Sequence, residues 1–179
     1  MTEAMSLAPP ITSFVELSDL GQAGEEVTIA ANAGQRARLA EWAGLEAVDH
    51  FEAVVNLRKL SRSRFGYQAS VKADITQSCV VTLEPVRTHL AFEFARELHL
   101  AHAVPKGWAE EAAAAPAAEE GPEEIESTNF DVAAPVLEEF ALAIDPYPRA
   151  AGVVFKPEAE PEEARESPFA ALKGLKKQG

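Results

Sequence analysis

Few side chains in this sequence could do chemistry by type and spacing, and the only cysteine, Cys79, is the first of them. A single thiol could ligate a metal or act as a nucleophile. No Lys, Arg or His lies within several residues of it to stabilise a thiolate. We therefore expect a buried structural cysteine, which is the common state of a free cysteine in a folded protein. One cysteine also excludes an internal disulfide and fits a reducing compartment.

The histidines and glutamates give no catalytic pattern. His99 and His102 are the only close histidine pair, and on a strand positions three apart point to opposite faces, which is poor for chelation. The sequence has no Gly-x-x-x-x-Gly-Lys, Gly-x-Gly-x-x-Gly or Gly-x-Ser-x-Gly motif. Most glutamates fall in segments where nothing would fix their geometry or raise their pKa. We expect no catalytic residue, no cofactor and no metal.

A run of basic residues is the best candidate contact surface. Between Ala53 and Ala73 there is no acidic residue. The basic residues of this run are Arg58, Lys59, Arg62, Arg64 and Lys72. Arg and Lys on a hairpin can reach phosphate oxygens, and Arg adds planar bidentate contacts. These five residues are the RNA-binding candidates, and the alternative is a solvated loop that balances acidic segments of the same chain.

Charge and length limit the function classes. The chain has 179 residues and a net charge of −13, from 29 acidic and 16 basic residues. Such a balance argues against broad binding to nucleic-acid backbones, which depends on Lys and Arg displacing counterions. It favours solubility or a basic partner. Met1–Pro10 lacks a secretory pattern and no stretch approaches the ~20 apolar residues of a membrane span, so we expect a cytoplasmic protein without membrane contact.

Hydrophobic periodicity predicts an α+β fold. Period-two alternation and turn signals predict strands at 11–17, 27–30, 51–60, 65–78 and 86–100. The last of these also fits a helix, but period two captures more of its apolar residues. Helices are predicted from the cap at Asn32 to the stop at Gly44, at 131–144, and from Ser167 onward. We expect a mainly antiparallel sheet with the helices packed on one side.

The predicted domain organisation is a single domain with appendages. Residues 1–10 form a flexible N-terminus, 11–155 the α+β domain, 156–166 an acidic linker and 167–179 a short C-terminal helix. Within the domain, 109–129 is predicted to be a disordered acidic insertion; seven glutamates and no Lys or Arg lie in its 109–126 part. The C-terminal helix has an apolar stripe of Phe169, Leu172 and Leu175. It must dock to be stable, either on its own domain, which we favour, or in a partner groove.

Three blocks of sequence resemble one known family. The blocks are Cys79–Pro85, Leu142–Arg149 and Ser167–Lys176, and in this order they resemble the signature of the YceD family, the large ribosomal RNA subunit accumulation proteins. The residues that carry the resemblance are Cys79, Thr82, Glu84, Pro85, Asp145, Pro146, Tyr147, Pro148, Arg149, Phe169 and Leu172. The resemblance implies a non-enzymatic role in 23S rRNA accumulation and large-subunit assembly. Many relatives carry Cys-x-x-Cys at the first block, whereas Thr82 takes the second position here, so zinc is not expected.

Three mechanisms remain open at this point. In the first, the basic hairpin contacts rRNA of a large-subunit precursor while the glutamate-rich segments hold or shield a basic ribosomal protein. In the second, the chain is an acidic chaperone for one basic large-subunit ribosomal protein and does not touch RNA. In the third, it is an enzyme acting on rRNA or a small molecule, which would require a pocket with convergent polar groups and strongly shifted pKa values.

Overall fold

The computed structural model describes residues 8–101 and 122–154, and these ranges form an α+β fold. In chain order the elements are β1 (Phe14–Glu16), β2 (Glu25–Ala30), α1 (Ala33–Ala43), β3 (Ala47–Lys59), β4 (Arg64–Ser78), β5 (Pro85–Leu100), β6 (Glu123–Ile125), β7 (Asn129–Asp131) and α2 (Ala133–Ala143). The predicted linker 156–166, the C-terminal helix with Phe169 and Leu172, and most of the predicted acidic insertion lie outside the described residues.

A five-stranded sheet forms the centre of the fold. Its order is β2-β3-β4-β5-β6. The first four strands are antiparallel neighbours, and β6 pairs in parallel with the last residues of β5, Leu98–Leu100. The alternation in 65–75 and the preference for a strand at 86–100 are both confirmed, as is the mainly antiparallel sheet.

The two helices cover one face of this sheet. Alternate residues of β3 and β4 are buried on that face, and the ring of Phe51 on β3 packs edge-on against Phe140 of α2, with centroids 5.2 Å apart. Leu39 of α1 is completely buried in the same core. Phe65 and Tyr67, next to the basic hairpin, are buried as the alternation predicts. The Tyr67 hydroxyl donates to the Val132 carbonyl oxygen at 2.7 Å, which ties β4 to the start of α2.

Local signals fix the ends of α1. The side chain of Asn32 accepts from the Gln35 amide, and the Gln35 side chain accepts from the Asn32 amide, so the predicted capping box is present. Gly44 ends the helix at φ 66°, a left-handed conformation that favours glycine. The helix predicted at 131–144 is present as α2, with Pro135 in its first turn, where proline is tolerated, and with Ala141 exposed.

Two predictions about the elements are wrong in part. The segment 11–17 was expected in the main sheet, but only Phe14–Glu16 is a strand, and it pairs with β7 in a separate two-stranded sheet. Leu17 turns away into a short 3-10 helix, Leu17–Asp19, in which the Ser18 amide donates to the Glu16 side chain. The disorder predicted for 109–129 does not extend to its C-terminal end, because Glu123–Ile125 form β6. Backbone pairing with Leu98–Leu100 stabilises this short acidic strand, and no periodicity in the sequence predicts it.

Candidate contact surfaces at the two ends of β4

The basic candidates lie at one end of β4, around the hairpin that joins it to β3. This hairpin end comprises Arg58, Lys59, Arg62 and Arg64 with the turn between them. All four residues are exposed, and Arg62 lies in the turn itself. The strand register places Arg58 opposite Gly66 and Lys59 opposite Phe65. The structure therefore brings these four candidates together at one tip.

The four cations of the hairpin end are not equally available. The Arg64 guanidinium forms an ion pair with Glu97 at 3.3 Å, and the Lys59 ammonium donates to the Ser18 carbonyl oxygen at 2.9 Å. Among the described residues, Arg58 and Arg62 have no such partner. The guanidinium groups of Arg58 and Arg62 can therefore bind a phosphate without first breaking a contact within the protein.

Lys72 does not belong to the hairpin end. It lies eight residues along β4 from Arg64, or about 26 Å at the rise of a strand. Its cross-strand neighbours are Glu52 on β3 and Ala91 on β5. The sequence run from Ala53 to Ala73 places all five basic residues in one list, but only the fold shows that Lys72 lies beside a carboxylate far from the other four.

The first family-motif block forms a tight turn at the opposite end of β4. Cys79 donates its amide to the Glu84 carbonyl at 2.8 Å, and its carbonyl accepts from the Leu83 amide at 2.9 Å. Leu83 has φ 61°, a left-handed conformation that is uncommon for a residue with a branched side chain. This turn, residues 79–84, is called the motif turn below.

The second motif block packs directly on the motif turn. The Val80 amide donates to the Pro148 carbonyl at 2.9 Å, and the Ala150 amide donates to the Cys79 sulfur at 3.4 Å. The corner holds its own shape because Asp145 accepts from the Tyr147 amide through its side chain and from the Gln77 side chain through its carbonyl. Two blocks about 65 residues apart in sequence thus form one unit.

The Cys79 thiol is buried, as predicted, but its environment is not the inert one that the prediction assumed. The Ala150 amide donates to its sulfur at 3.4 Å, and the Thr82 hydroxyl and the amides of Val81 and Thr82 lie near enough to favour the thiolate. These donors outweigh the effect of burial, which alone raises a thiol pKa, and lower the pKa of Cys79 to about 6. Counting nearby Lys, Arg and His missed this, because backbone amides and a hydroxyl supply the stabilisation.

The position expected for a second cysteine holds a hydroxyl. The Thr82 hydroxyl donates to the Glu84 carboxylate at 3.4 Å and accepts from the Glu84 amide at 3.4 Å, and its closeness to the Cys79 sulfur helps to lower the pKa of the thiol. Thr82 thus supplies a polar neighbour to the thiol, not a second soft ligand. Among residues 8–101 and 122–154, no group of three or more His, Cys, Asp or Glu side chains is arranged to hold a metal ion.

Arg96 is the centre of an ion-pair cluster that sequence reasoning missed. Its guanidinium lies 3.1 Å from Glu123, 2.8 Å from Glu138 and 2.9 Å from Glu139. Partial burial lowers the pKa of Arg96, but the hydrogen bonds to the three carboxylates outweigh it and raise that pKa above its ordinary value. The only sequence signal was that Arg96 interrupts the apolar alternation of β5 and so lies on the core side. An open groove of about 900 Å³ adjoins this cluster, over Phe94.

Only His99 of the histidine pair lies in the described part of the chain. It is partly exposed and contacts Glu97 at 2.6 Å, while His102 lies outside the described residues.

Both joined blocks lie in the part of the chain that matches a known protein family. The family model for the large ribosomal RNA subunit accumulation protein YceD matches residues 67–176, which include the motif turn and the Asp145–Arg149 corner. The chain belongs to the YceD family. No curated protein and no solved structure matches it. In the part of the chain that the structure describes, no helix is long and apolar enough to cross a membrane.

Proposed function

We propose that this YceD-family protein is a non-enzymatic assembly factor that supports 23S rRNA accumulation by contacting rRNA of the large-subunit precursor through the hairpin end. The family match supports the general role in accumulation of large-subunit rRNA. The observation that carries the RNA contact is the pair Arg58 and Arg62, exposed at one tip and without an ion pair among the described residues. This pair is small for a chain of net charge −13, so the contact is local and depends on the shape of one RNA site.

A non-enzymatic role agrees with where the most activated side chain lies. Cys79 has the thiol with the lowered pKa, but its side chain is fully buried beneath the Asp145–Arg149 corner. A substrate could not reach that sulfur without opening both motif blocks. Arg96 and its carboxylates are likewise bound to one another, and such a cluster stabilises structure without presenting a free acid or base.

The hairpin contact is tested by replacing Arg58 and Arg62 with Ser in the full chain. We expect weaker association with large-subunit precursors and a salt dependence, plotted as log affinity against log salt, whose slope falls by about 2. The matched control is Lys72→Ser with Arg87→Ser, which removes two positive charges from the same sheet away from the tip. Equal affinity and equal slopes for the two variants would contradict a contact at the hairpin end.

A second function, an acidic chaperone for a basic large-subunit ribosomal protein, is favoured by a different observation. Three carboxylates surround the single cation of Arg96, and Glu138 is still 59% exposed. Together with the net charge of −13, this leaves a negative surface around α2 and β6. The chaperone hypothesis predicts salt-sensitive binding to one basic ribosomal protein that survives nuclease treatment.

The chaperone hypothesis is tested by changing Glu110, Glu111, Glu119, Glu120, Glu124 and Glu126 to Gln. Glu123 is kept because it holds Arg96. Loss of the ribosomal protein with unchanged RNA recovery would favour the chaperone function over the hairpin contact. Unchanged recovery of both the ribosomal protein and the RNA would show that these glutamates contribute to neither interaction.

A further inference from the structure

Exposed apolar side chains concentrate at the motif end of β4. Among the described residues, the exposed large apolar side chains are Phe14, Leu60, Val80, Leu83, Leu142, Tyr147 and Val154. Five of these seven lie on two segments, 79–84 and 142–154. Scattered exposed apolar residues are ordinary, whereas apolar residues gathered on neighbouring segments mark a surface that something covers.

Hydrogen bonds hold these two segments together as one surface. The Val80–Pro148 bond and the Ala150–Cys79 bond fasten the corner onto the motif turn. Leu83 is 77% exposed and has φ 61°. A left-handed conformation costs a residue with a Cβ about 1 kcal/mol, so the turn holds an apolar side chain in solvent in an unfavourable backbone conformation. This motif patch consists of Val80, Leu83, Tyr147 and Val154, with Leu142 at the preceding end of α2.

We propose that residues 167–177 of this same chain dock on the motif patch through the apolar stripe of Phe169, Leu172 and Leu175. The described chain ends within the patch, at Val154, which is itself 73% exposed. Residues 155–166 span up to about 40 Å when extended and about 20 Å as a flexible coil. The stripe therefore begins within easy reach of Leu83 and Tyr147.

Chain connectivity and charge favour this occupant over a separate molecule. A segment tethered by a short linker meets the patch at an effective concentration in the millimolar range, whereas a second copy meets it only at the protein's own concentration. The linker carries five glutamates, at 158, 160, 162, 163 and 166. Arg149 is exposed beside Tyr147 and has no ion pair among the described residues, so it is placed to attract that acidic linker. This docking is independent of the RNA contact at the hairpin end.

The docking is tested by nuclear Overhauser contacts in the isotope-labelled full-length protein. We expect contacts from the side chains of Phe169, Leu172 and Leu175 to those of Val80, Leu83 and Tyr147. A second sample that mixes differently labelled chains separates contacts within one chain from contacts between two. Contacts seen only between chains would assign the patch to a second copy and would overturn the proposal.

A pair of full-length variants sharpens this test. Leu172→Asp with Leu175→Asp places two charges on the docking side, and Ala170→Asp with Gly174→Asp places the same two charges on the opposite side of the predicted helix. The first variant should lose the contacts between the tail and the motif patch, and the rate of proteolysis in its tail should rise about tenfold. The second variant should keep the contacts and the slow proteolysis of the unmodified protein. Fast motion of residues 167–177 in the unmodified protein, or equal effects of the two variants, would contradict docking on the patch.

Discussion

The two ends of β4 differ in the contacts that hold them and in the side chains that they expose. The hairpin end joins neighbouring strands through a short turn, presents exposed cations and makes few contacts beyond its own sheet. The motif end joins β4 to β5 through a turn whose Val80 amide and Cys79 sulfur are hydrogen-bonded to Pro148 and Ala150, about 70 residues further along the chain. The hairpin end is open, in the sense that its charged side chains are free to bind a partner. The motif end is tied, in the sense that hydrogen bonds hold it to a distant segment, and it exposes apolar side chains.

This difference indicates where substitutions should affect stability and where they should affect binding. An exposed ion pair or a free surface cation contributes ~1 kcal/mol or less to folding. Buried hydrogen-bond acceptors and half-buried charges contribute more, because removing one leaves its partners without compensation. Substitutions at the hairpin end should therefore change partner binding with little effect on folding. Substitutions at the motif end or in the Arg96 cluster should lower stability with little effect on partner binding.

The largest effect is expected from Arg96→Met, which keeps an unbranched apolar stem and removes the charged guanidinium. Glu123, Glu138 and Glu139 would then repel one another at the edge of the core. We expect the free energy of unfolding to fall by about 3 kcal/mol, measured by urea denaturation. The control is Arg64→Met, whose exposed pair with Glu97 should be worth less than about 1 kcal/mol. Similar losses for both variants would refute the distinction between tied and open cations.

The next effect is expected from Cys79→Ala, which removes the buried sulfur that joins the two motif blocks. The Ala150 amide would lose its acceptor, and the amides inside the motif turn would lose a neighbouring sulfur. The midpoint of thermal unfolding should fall by about 5 °C, whereas Arg62→Ala at the other end of β4 should leave it unchanged. Cys79→Ser, which retains an acceptor, should recover part of the loss. A Cys79→Ala protein as stable as the unmodified one would show that the sulfur does not join the blocks.

A smaller effect of opposite sign is expected from Leu83→Gly. Glycine adopts φ 61° without a Cβ clash, so relief of strain should exceed the added entropy of the unfolded chain. In a chain that also carries Leu172→Asp and Leu175→Asp, where the tail does not cover Leu83, we expect the midpoint to rise by about 2 °C. The control is Leu60→Gly, which removes a half-exposed apolar side chain at the hairpin end without a positive φ to relieve. A loss of stability in Leu83→Gly would mean that the side chain is held in place by contacts that outweigh the strain.

A pH dependence of stability is expected from the Cys79 thiol at the motif end. The folded pKa of Cys79 is about 6, below the ~8.5 of an unfolded thiol. The unfolded chain binds the proton more tightly, so this group makes stability rise with pH between about 6 and 8.5 and lose that contribution as pH falls toward 6. Ultraviolet absorbance of the thiolate gives the pKa directly. Thr82→Val should raise it, and an unchanged pKa would remove the hydroxyl as the main cause.

Local sequence patterns predicted the main sheet and both described helices well. The alternation of 65–75 and the capping box at Asn32 act within a few residues, so they can be recognised without the fold. Elements that depend on distant partners were missed. Strand β6 exists because Leu98–Leu100 offer it an edge, and Phe14–Glu16 left the main sheet because Asn129–Asp131 pair with it.

The candidate sites show the same division. The four cations at the hairpin tip are close in sequence and were found together, whereas Lys72 was grouped with them wrongly because sequence distance along a strand hides physical distance. Beside the Thr82 hydroxyl, the backbone amides of Val81, Thr82 and Ala150 act on the Cys79 thiol, and every residue type except proline can supply such an amide. No reading of residue types could locate them before the Asp145–Arg149 corner was placed against the motif turn.

The central claim, that the open end of β4 contacts rRNA, is tested most directly by recovering the tagged protein from cells. Bound RNA is sequenced and bound proteins are identified, with and without nuclease, for the unmodified chain and for the Arg58→Ser and Arg62→Ser double variant. We expect 23S precursor RNA to be recovered with the unmodified chain and lost with the variant, while folding is unchanged. Recovery of one basic ribosomal protein after nuclease, with no RNA footprint from either chain, would contradict it.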